Sequence, residues 1–370
     1  VNALSADGTI AAGWAQDEAG KSRAALWKIT YAIPPQPMVP LTPLEDLPPP
    51  RVTPPPAEPP KPPTVVVIDP AHTQQAMARM GDDALSAMSL QQQKLQRMQM
   101  GCVAQAGRVC VNLSQNFAGR GGHTDATVGL DVGYGFSSNF SAGVALDHSL
   151  HRDLPGTHKD RRNNVGVGVF AHWHQNSDGN GWFVHPAVAF ERYKLQLRRP
   201  TDLPNTEAGE GQSQMQGTAY SLATGQNFTL GSGRQIGWYA AVRHSDLRRD
   251  GYTESNGVAF PVHYGELRLR ETSTAVGARA AIPLGSQWLW RTSAEVEQHV
   301  AGSNPVYTAG AQYVGGYSRE LEVEKTRASL STGLSYRLSP LFSVSLDAQA
   351  GNGLFGKTQW GTSLKLTGQF

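Results

Sequence analysis

From about Val109 to Phe370, apolar residues alternate with small or polar ones in segments joined by links that are short and long in turn. In Thr127 to Phe136 the apolar set is Val128, Leu130, Val132, Tyr134 and Phe136; Gly129, Asp131, Gly133 and Gly135 make up the other. Successive side chains of a strand point to opposite faces, so one face is greasy and the other small and wet. A water-soluble barrel would turn the greasy face inward. Here the inward set is Gly, Ser, Asp, Arg and Lys, which suits a hydrated lumen with lipid outside. The pattern divides into about twelve strands, near 109–119, 125–137, 139–150, 161–175, 181–197, 214–230, 234–247, 264–283, 286–300, 318–338, 341–351 and 355–370. The fold class is an all-β membrane protein, an antiparallel transmembrane β-barrel.

The links give the barrel a direction. Tight turns at Ser137-Ser138, Gln175 to Asn180, Gly231 to Gly233, Gly285-Ser286 and Ser339-Pro340 alternate with long polar links at 150–160, 198–213, 247–263 and 301–317. Short periplasmic turns and long outer loops are the rule for such barrels, so both barrel ends lie on the periplasmic side. Trp173, Trp182, Trp238, Trp288, Trp290, Phe136, Phe140, Tyr336, Phe342 and Phe370 all fall beside the short turns or the C-terminus, as a periplasmic-side aromatic girdle requires. Tyr220 and Trp360 fall at the opposite strand ends. Charges on the small or polar face, Asp131, Asp147, Glu191, Arg243, Arg291, Glu295, Lys325, Arg327, Arg337, Asp347 and Lys365, are expected to line the lumen. The last strand alternates back from Phe370 through Leu366 and Leu364. A terminal strand with a free edge is a natural site for strand addition.

Upstream the periodicity changes. Asp69 followed by Pro70 reads as an N-cap and first helical residue, opening a helix to about Met100. It holds five of the seven methionines, seven glutamines (Gln74, Gln75, Gln91, Gln92, Gln93, Gln96 and Gln99) and no aromatic residue. A long helix that is polar nearly all round lacks the apolar stripe that packs on a core. It suits the inside of a wet barrel, where Arg79, Asp82, Asp83, Lys94 and Arg97 can bond to lumen side chains. A thread of about 45 Å spans a bilayer. Residues 34–63 hold 15 of the 24 prolines and read as an extended spacer. Residues 1–33 read as turn, strand, turn and strand. The expected division is 1–33, linker 34–63, helix region 64–101 and barrel 102–370.

Composition removes other classes. A net charge of +2 excludes a nucleic-acid binder, and no stretch approaches the roughly 18 apolar residues of a membrane helix. Val1-Asn2-Ala3-Leu4 carries no basic segment before an apolar run, so the chain reads as a processed or partial form of an exported protein. Cys102 and Cys110 are the only cysteines; they either close a small loop in an oxidising periplasm or stand as two thiols. His174-Gln175-Asn176-Ser177 superficially matches an outer-membrane phospholipase, but it falls in a tight turn with no held base. His123, Asp125, His148, His151, Asp153, His158 and Asp160 cluster in outer loops and read as charged flexible loop without a zinc pattern. No catalytic residue, metal or cofactor is expected.

The order of exported segment, linker, glutamine-rich helix, twelve-strand barrel and terminal Phe resembles the C-terminal translocator of a type Va autotransporter, over about residues 64–370. The resemblance implies type V secretion: a barrel in the Gram-negative outer membrane that lets its own N-terminal passenger reach the cell surface, the helix then remaining in the pore. It implies as partners the passenger, outer-membrane lipid and lipopolysaccharide, periplasmic chaperones and the barrel-insertion machinery, which reads the terminal Leu364, Leu366 and Phe370, and a monomeric barrel. Gly368 stands where an aromatic is often seen. Ser5-Ala6-Asp7-Gly8, the Gly13-Trp14 strand end and Arg23-Ala24-Ala25-Leu26-Trp27 resemble one HAF repeat, which makes residues 1–33 a passenger remnant. Some autotransporters cut themselves at an Asn-Asn bond in the pore; no Asn lies between Asn2 and Asn112, so that chemistry does not carry over. The competing readings are a plugged outer-membrane channel and an adhesin binding through its outer loops.

Overall fold

The computed structural model describes residues 3–16, 21–30, 64–161 and 164–370; the expected linker at 34–63 lies outside them. Twelve antiparallel strands close into one barrel: β1 (Val109–Arg120), β2 (His123–Gly135), β3 (Phe140–Asp153), β4 (Val165–His174), β5 (Gly181–Arg198), β6 (Glu210–Thr229), β7 (Gln235–Arg249), β8 (Leu267–Pro283), β9 (Trp288–Ser303), β10 (Thr326–Arg337), β11 (Phe342–Asn352) and β12 (Thr358–Gln369). Each pairs with its sequence neighbours, and β12 pairs with β1, Leu366 opposite Leu113. Closure leaves no edge in the barrel and satisfies the backbone groups that lipid cannot.

The greasy faces point outward. Leu113, Leu130, Val144, Val169, Leu222, Val276, Leu330 and Leu364 are all exposed on the barrel's outside. Along β5 the outward set from Trp182 to Phe190 is apolar, close to the 9–11 residues a tilted strand needs to cross a bilayer. Beyond Phe190 the phase inverts. Arg192, Lys194, Gln196 and Arg198 face out, while Tyr193, Leu195 and Leu197 are buried inside. Strands β6 to β8 do the same, with Met215, Leu247, Leu267 and Leu269 buried inward. The outer ends of these strands stand in water, where the apolar face must turn in. The lumen is therefore wet only in its membrane-level part, which corrects the expectation of an inward face that is polar throughout.

The long links are also more than loops. Tyr252–Thr253, Val262–Tyr264, Val306–Ala311 and Gly315–Glu320 form a separate antiparallel sheet above the barrel. Strand β10 consequently begins at Thr326, not near 318. Residues 315–320 instead pair with 306–311 across a turn where Tyr313 and Gly315 take positive φ of 70° and 93°. His158–Arg161 adds a short strand to the outer end of β5. At the N-terminus Ala3–Leu4, Ile10–Gln16, Ser22–Thr30 and Thr64–Ile68 make a second four-stranded sheet. Its Leu26 and Ile68 share an apolar cluster with Phe260, Val262 and Tyr264 of the outer sheet.

Candidate functional site

One helix, α1 (Pro70–Met98), threads the barrel. Asp69 caps it, its carboxylate accepting from the Ala71 and His72 amides at 2.8 and 3.3 Å, which satisfies donors that a helix start leaves free. At 1.5 Å per residue the helix is about 44 Å long. Its middle and C-terminal half are buried almost without interruption, from Ala84 to Lys94. Contrary to the all-polar reading, Met77, Met80, Met88, Leu90 and Leu95 are each at most 1% exposed. They pack on the apolar collar made by the phase inversion, with Leu195, Leu197, Met215 and Leu247 in the same cluster. Glycines make room on the wall: a Cβ at Gly168 would stand 2.7 Å from the Met98 carbonyl oxygen, and one at Gly217 2.8 Å from Leu95 Cδ1.

Polar contacts fix the helix at three heights. At the top, the Arg79 guanidinium binds the Asp202 carboxylate in the link after β5 and holds it below the usual carboxylate range. Arg319 binds Asp82 at 3.0 Å, and Thr157 donates to Asp83. In the middle Arg120 donates to Ser86 Oγ at 3.0 Å. At the bottom Lys94 Nζ lies 2.7 Å from Glu191 Oε1 and 3.5 Å from Asp147 Oδ1, and donates to the Asn164 carbonyl and Ser149 Oγ. Arg97 binds Asp147 at 2.8 Å and Thr127 Oγ1 at 2.7 Å. Arg152 closes this network, 2.8 Å from Asp125 and 3.1 Å from Glu191, with its guanidinium carbon 4.4 Å from the Tyr193 ring centre. Asp125, Arg152 and Asp160 come from segments that read as flexible outer loop; the structure turns them inward, and His158 is 2% exposed. A β-bulge at Leu150 breaks the alternation of β3, leaving Leu150 and His151 both exposed and turning Arg152 inward, so strand periodicity alone did not mark it.

The opposite wall carries a second group of charges. Arg243 lies 2.7 Å from Glu295 and 3.0 Å from Glu297. Arg327 binds Glu271 at 2.6 Å and Glu297 at 2.8 Å. Asp347 stands between Arg291 at 3.2 Å and Lys365 at 3.4 Å; back on β2, the strand of Asp125 and Thr127, Asp131 accepts from Asn112 at 3.3 Å. Glu271 and Glu297 are additional to the charges expected from sequence. Lys325 and Arg337 are exposed, beyond the first residue and at the last residue of β10 respectively. Between this wall and α1 a cavity of about 510 Å³ remains, lined by Gln92, Gln96, Arg243, Glu295, Arg327 and Ser331 among others. Cys102 and Cys110 are joined in a disulfide that ties the segment after α1 to β1.

The outer sheet closes the top. Tyr307 is 1% exposed and donates its hydroxyl to the Met77 carbonyl at 2.9 Å, and Gln74 donates to the Val314 carbonyl at 3.0 Å. Beside it Arg199 pairs with Glu254 at 3.0 Å; burial pushes the Glu254 carboxyl up, against the pull of Arg199. Removing a buried ring of this size costs about 3–5 kcal/mol. Tyr307→Ala is therefore expected to free the outer sheet from the helix and expose residues 70–81 to protease. A digestion rate equal to the parent's in detergent-folded protein would contradict this.

The model of the autotransporter beta-domain family matches residues 112–349. The chain belongs to that family. Autotransporter translocators are outer-membrane barrels of Gram-negative bacteria that export a passenger, and this chain is one of them. Among solved structures it is similar to the translocator domain of NalP from Neisseria meningitidis, at 14% identity and a TM-score of 0.58, covering 78% of this chain and 98% of that one. The beta domain of the Bordetella autotransporter BrkA aligns at 17% identity and TM-score 0.47, over 71% of this chain and 99% of that one. The transport unit of AIDA-I from Escherichia coli aligns at 14% identity and TM-score 0.44, over 71% and 89%. A search of the curated proteins finds no match.

Proposed function

We propose that the barrel is held in a closed state after export, with α1 locked in the pore and residues 1–33 displayed at the cell surface as the end of the passenger. The observation that carries this reading is the three-level attachment of α1, from Arg79–Asp202 through Arg120–Ser86 to Lys94–Glu191. A segment still in transit has no use for contacts specific to one depth. The N-terminal sheet extends from the top of the helix, on the side of the long links, and Lys28 donates to the Ala259 carbonyl at 3.3 Å. We read residues 1–33 as one HAF-like repeat. Lumen charges such as Arg243, Glu295, Arg327, Arg291, Asp347 and Lys365 act as a paired, hydrated wall facing the helix, not as a catalytic set, and the chain has no catalytic activity of its own. Its partners beyond the passenger are the insertion machinery and periplasmic chaperones during assembly, then lipopolysaccharide and phospholipid around a monomeric barrel.

Whole cells provide the test. Protease added outside is expected to remove an epitope placed at residues 21–30 while the barrel stays intact. A plugged channel with its N-terminus in the periplasm would protect the epitope until the outer membrane is opened, and that outcome would overturn the reading.

A further inference from the structure

Three histidines sit together on the lumen wall near the short-turn mouth, outside the contacts that hold α1. His172 and His174 are two residues apart on β4, so both face inward. His185 lies on β5, opposite His172 in the register that pairs Phe183 with His174. The Nε2 atoms of His174 and His185 are 3.3 Å apart. The ring centres of His172 and His185 are 4.3 Å apart, those of His174 and His185 5.1 Å. His172 is 4% exposed, and neither of its nitrogens has a partner; Nδ1 of His174 has none either. A buried polar group left unpaired costs about 1–3 kcal/mol. The two His172 nitrogens stand beside the His174 and His185 rings, so three imidazoles share one patch of the wall.

We propose that His172, His174 and His185 form a binding site for a divalent transition-metal ion of the zinc or copper class. Imidazole donors select such ions over magnesium or calcium. At Zn–N distances of about 2.0–2.1 Å, two ligands of a tetrahedral ion stand about 3.3 Å apart. That is the spacing the His174 and His185 nitrogens already have. As they stand, no three His, Cys, Asp or Glu side chains among the described residues are placed to hold a metal ion; the His172 ring must turn first. His172 completes the set by rotation about its terminal torsion, which is broad for histidine. His172 and His185 line the cavity beside α1, so ions have a path in and water can fill the fourth position. The adverse charge is Arg279, whose guanidinium carbon lies 4.0 Å from the Phe183 ring centre; Asn227 Oδ1 accepts from it at 2.8 and 3.0 Å and holds it in place. It lowers the affinity without occupying the ligand positions. A simple hydrogen bond between the two Nε2 atoms accounts for that pair alone and leaves both His172 nitrogens unexplained.

The test uses untagged, metal-stripped barrel in detergent, titrated with Co²⁺ as a spectroscopic probe and with Zn²⁺ by calorimetry. One ion per barrel is expected, with the visible bands of tetrahedral cobalt that zinc then bleaches. His172→Ala and His185→Ala should each weaken binding roughly tenfold or more. A His148→Ala/His151→Ala variant, changed at exposed rim positions, should bind as the parent does. The gel-mobility shift between heated and unheated samples verifies that each variant is folded. No cobalt band and no zinc heat at millimolar metal, or binding that survives both lumen substitutions, overturns the site; so does binding lost from the rim variant.

Discussion

Replacing Lys94 by Met is expected to unseat the helix and open the barrel to ions. Lys94 is 1% exposed and Glu191 fully buried, and Asp125, Asp147 and Glu191 share the cations Lys94, Arg97 and Arg152. Without Lys94 the carboxylates of Asp125, Asp147 and Glu191 share only Arg97 and Arg152, and a buried charge left uncompensated in this way costs on the order of 3–5 kcal/mol. An equilibrium between seated and unseated helix then shifts by about two to almost four powers of ten, to the extent that unseating rehydrates the surplus carboxylate. Planar-bilayer recordings should show long open events where the parent shows brief ones, and protease should cut within 84–98. Adding Glu191→Gln to Lys94→Met leaves two carboxylates with two cations, Arg97 and Arg152, and should restore part of the closure. Parent-like conductance and protection in the single variant would sink the claim that this network locks the pore.

Deleting residues 364–370 is expected to abolish the inserted barrel altogether. These residues supply half of the seam, from Leu364 opposite Gln115 to Gln369 opposite Cys110, together with two hydrogen bonds of 2.9 Å between Phe370 and Val109. They also complete the ladder with Phe342 to Leu346. Without them two strands present unpaired amides and carbonyls to hydrocarbon, at several kcal/mol for each group. No heat-modifiable band and no passenger at the surface should be found. Phe370→Ala is the informative contrast. The ring touches Phe342, with centres 5.5 Å apart, and otherwise faces lipid, so removing it leaves the ladder whole and should barely change the stability of a barrel refolded in detergent. If that variant refolds in vitro yet fails to assemble in cells, Phe370 acts as a recognition signal for the insertion machinery. A truncated chain that still inserts would refute the ladder argument.

The sequence by itself determined the barrel: its strand number, its closure and the presence of a helix between Pro70 and about Met100. These are properties of period and order, and lipid admits few solutions for alternating segments. The aromatic residues beside the short turns were legible for the same reason. Only the tertiary structure decided what fills the lumen and what covers it. The inversion of phase after Phe190 was written in β5, but it becomes a methionine-binding collar only once α1 is inside. Arg152 looked like a loop charge because its partners Asp125 and Glu191 lie 27 and 39 positions away; pairing across that distance depends on strand register. The outer sheet escaped the pattern because its strands, Tyr252–Thr253 and Val262–Tyr264 among them, are too short to show a period. The three lumen histidines meet for a related reason: one strand supplies two, its neighbour the third, and neither segment alone carries a metal motif.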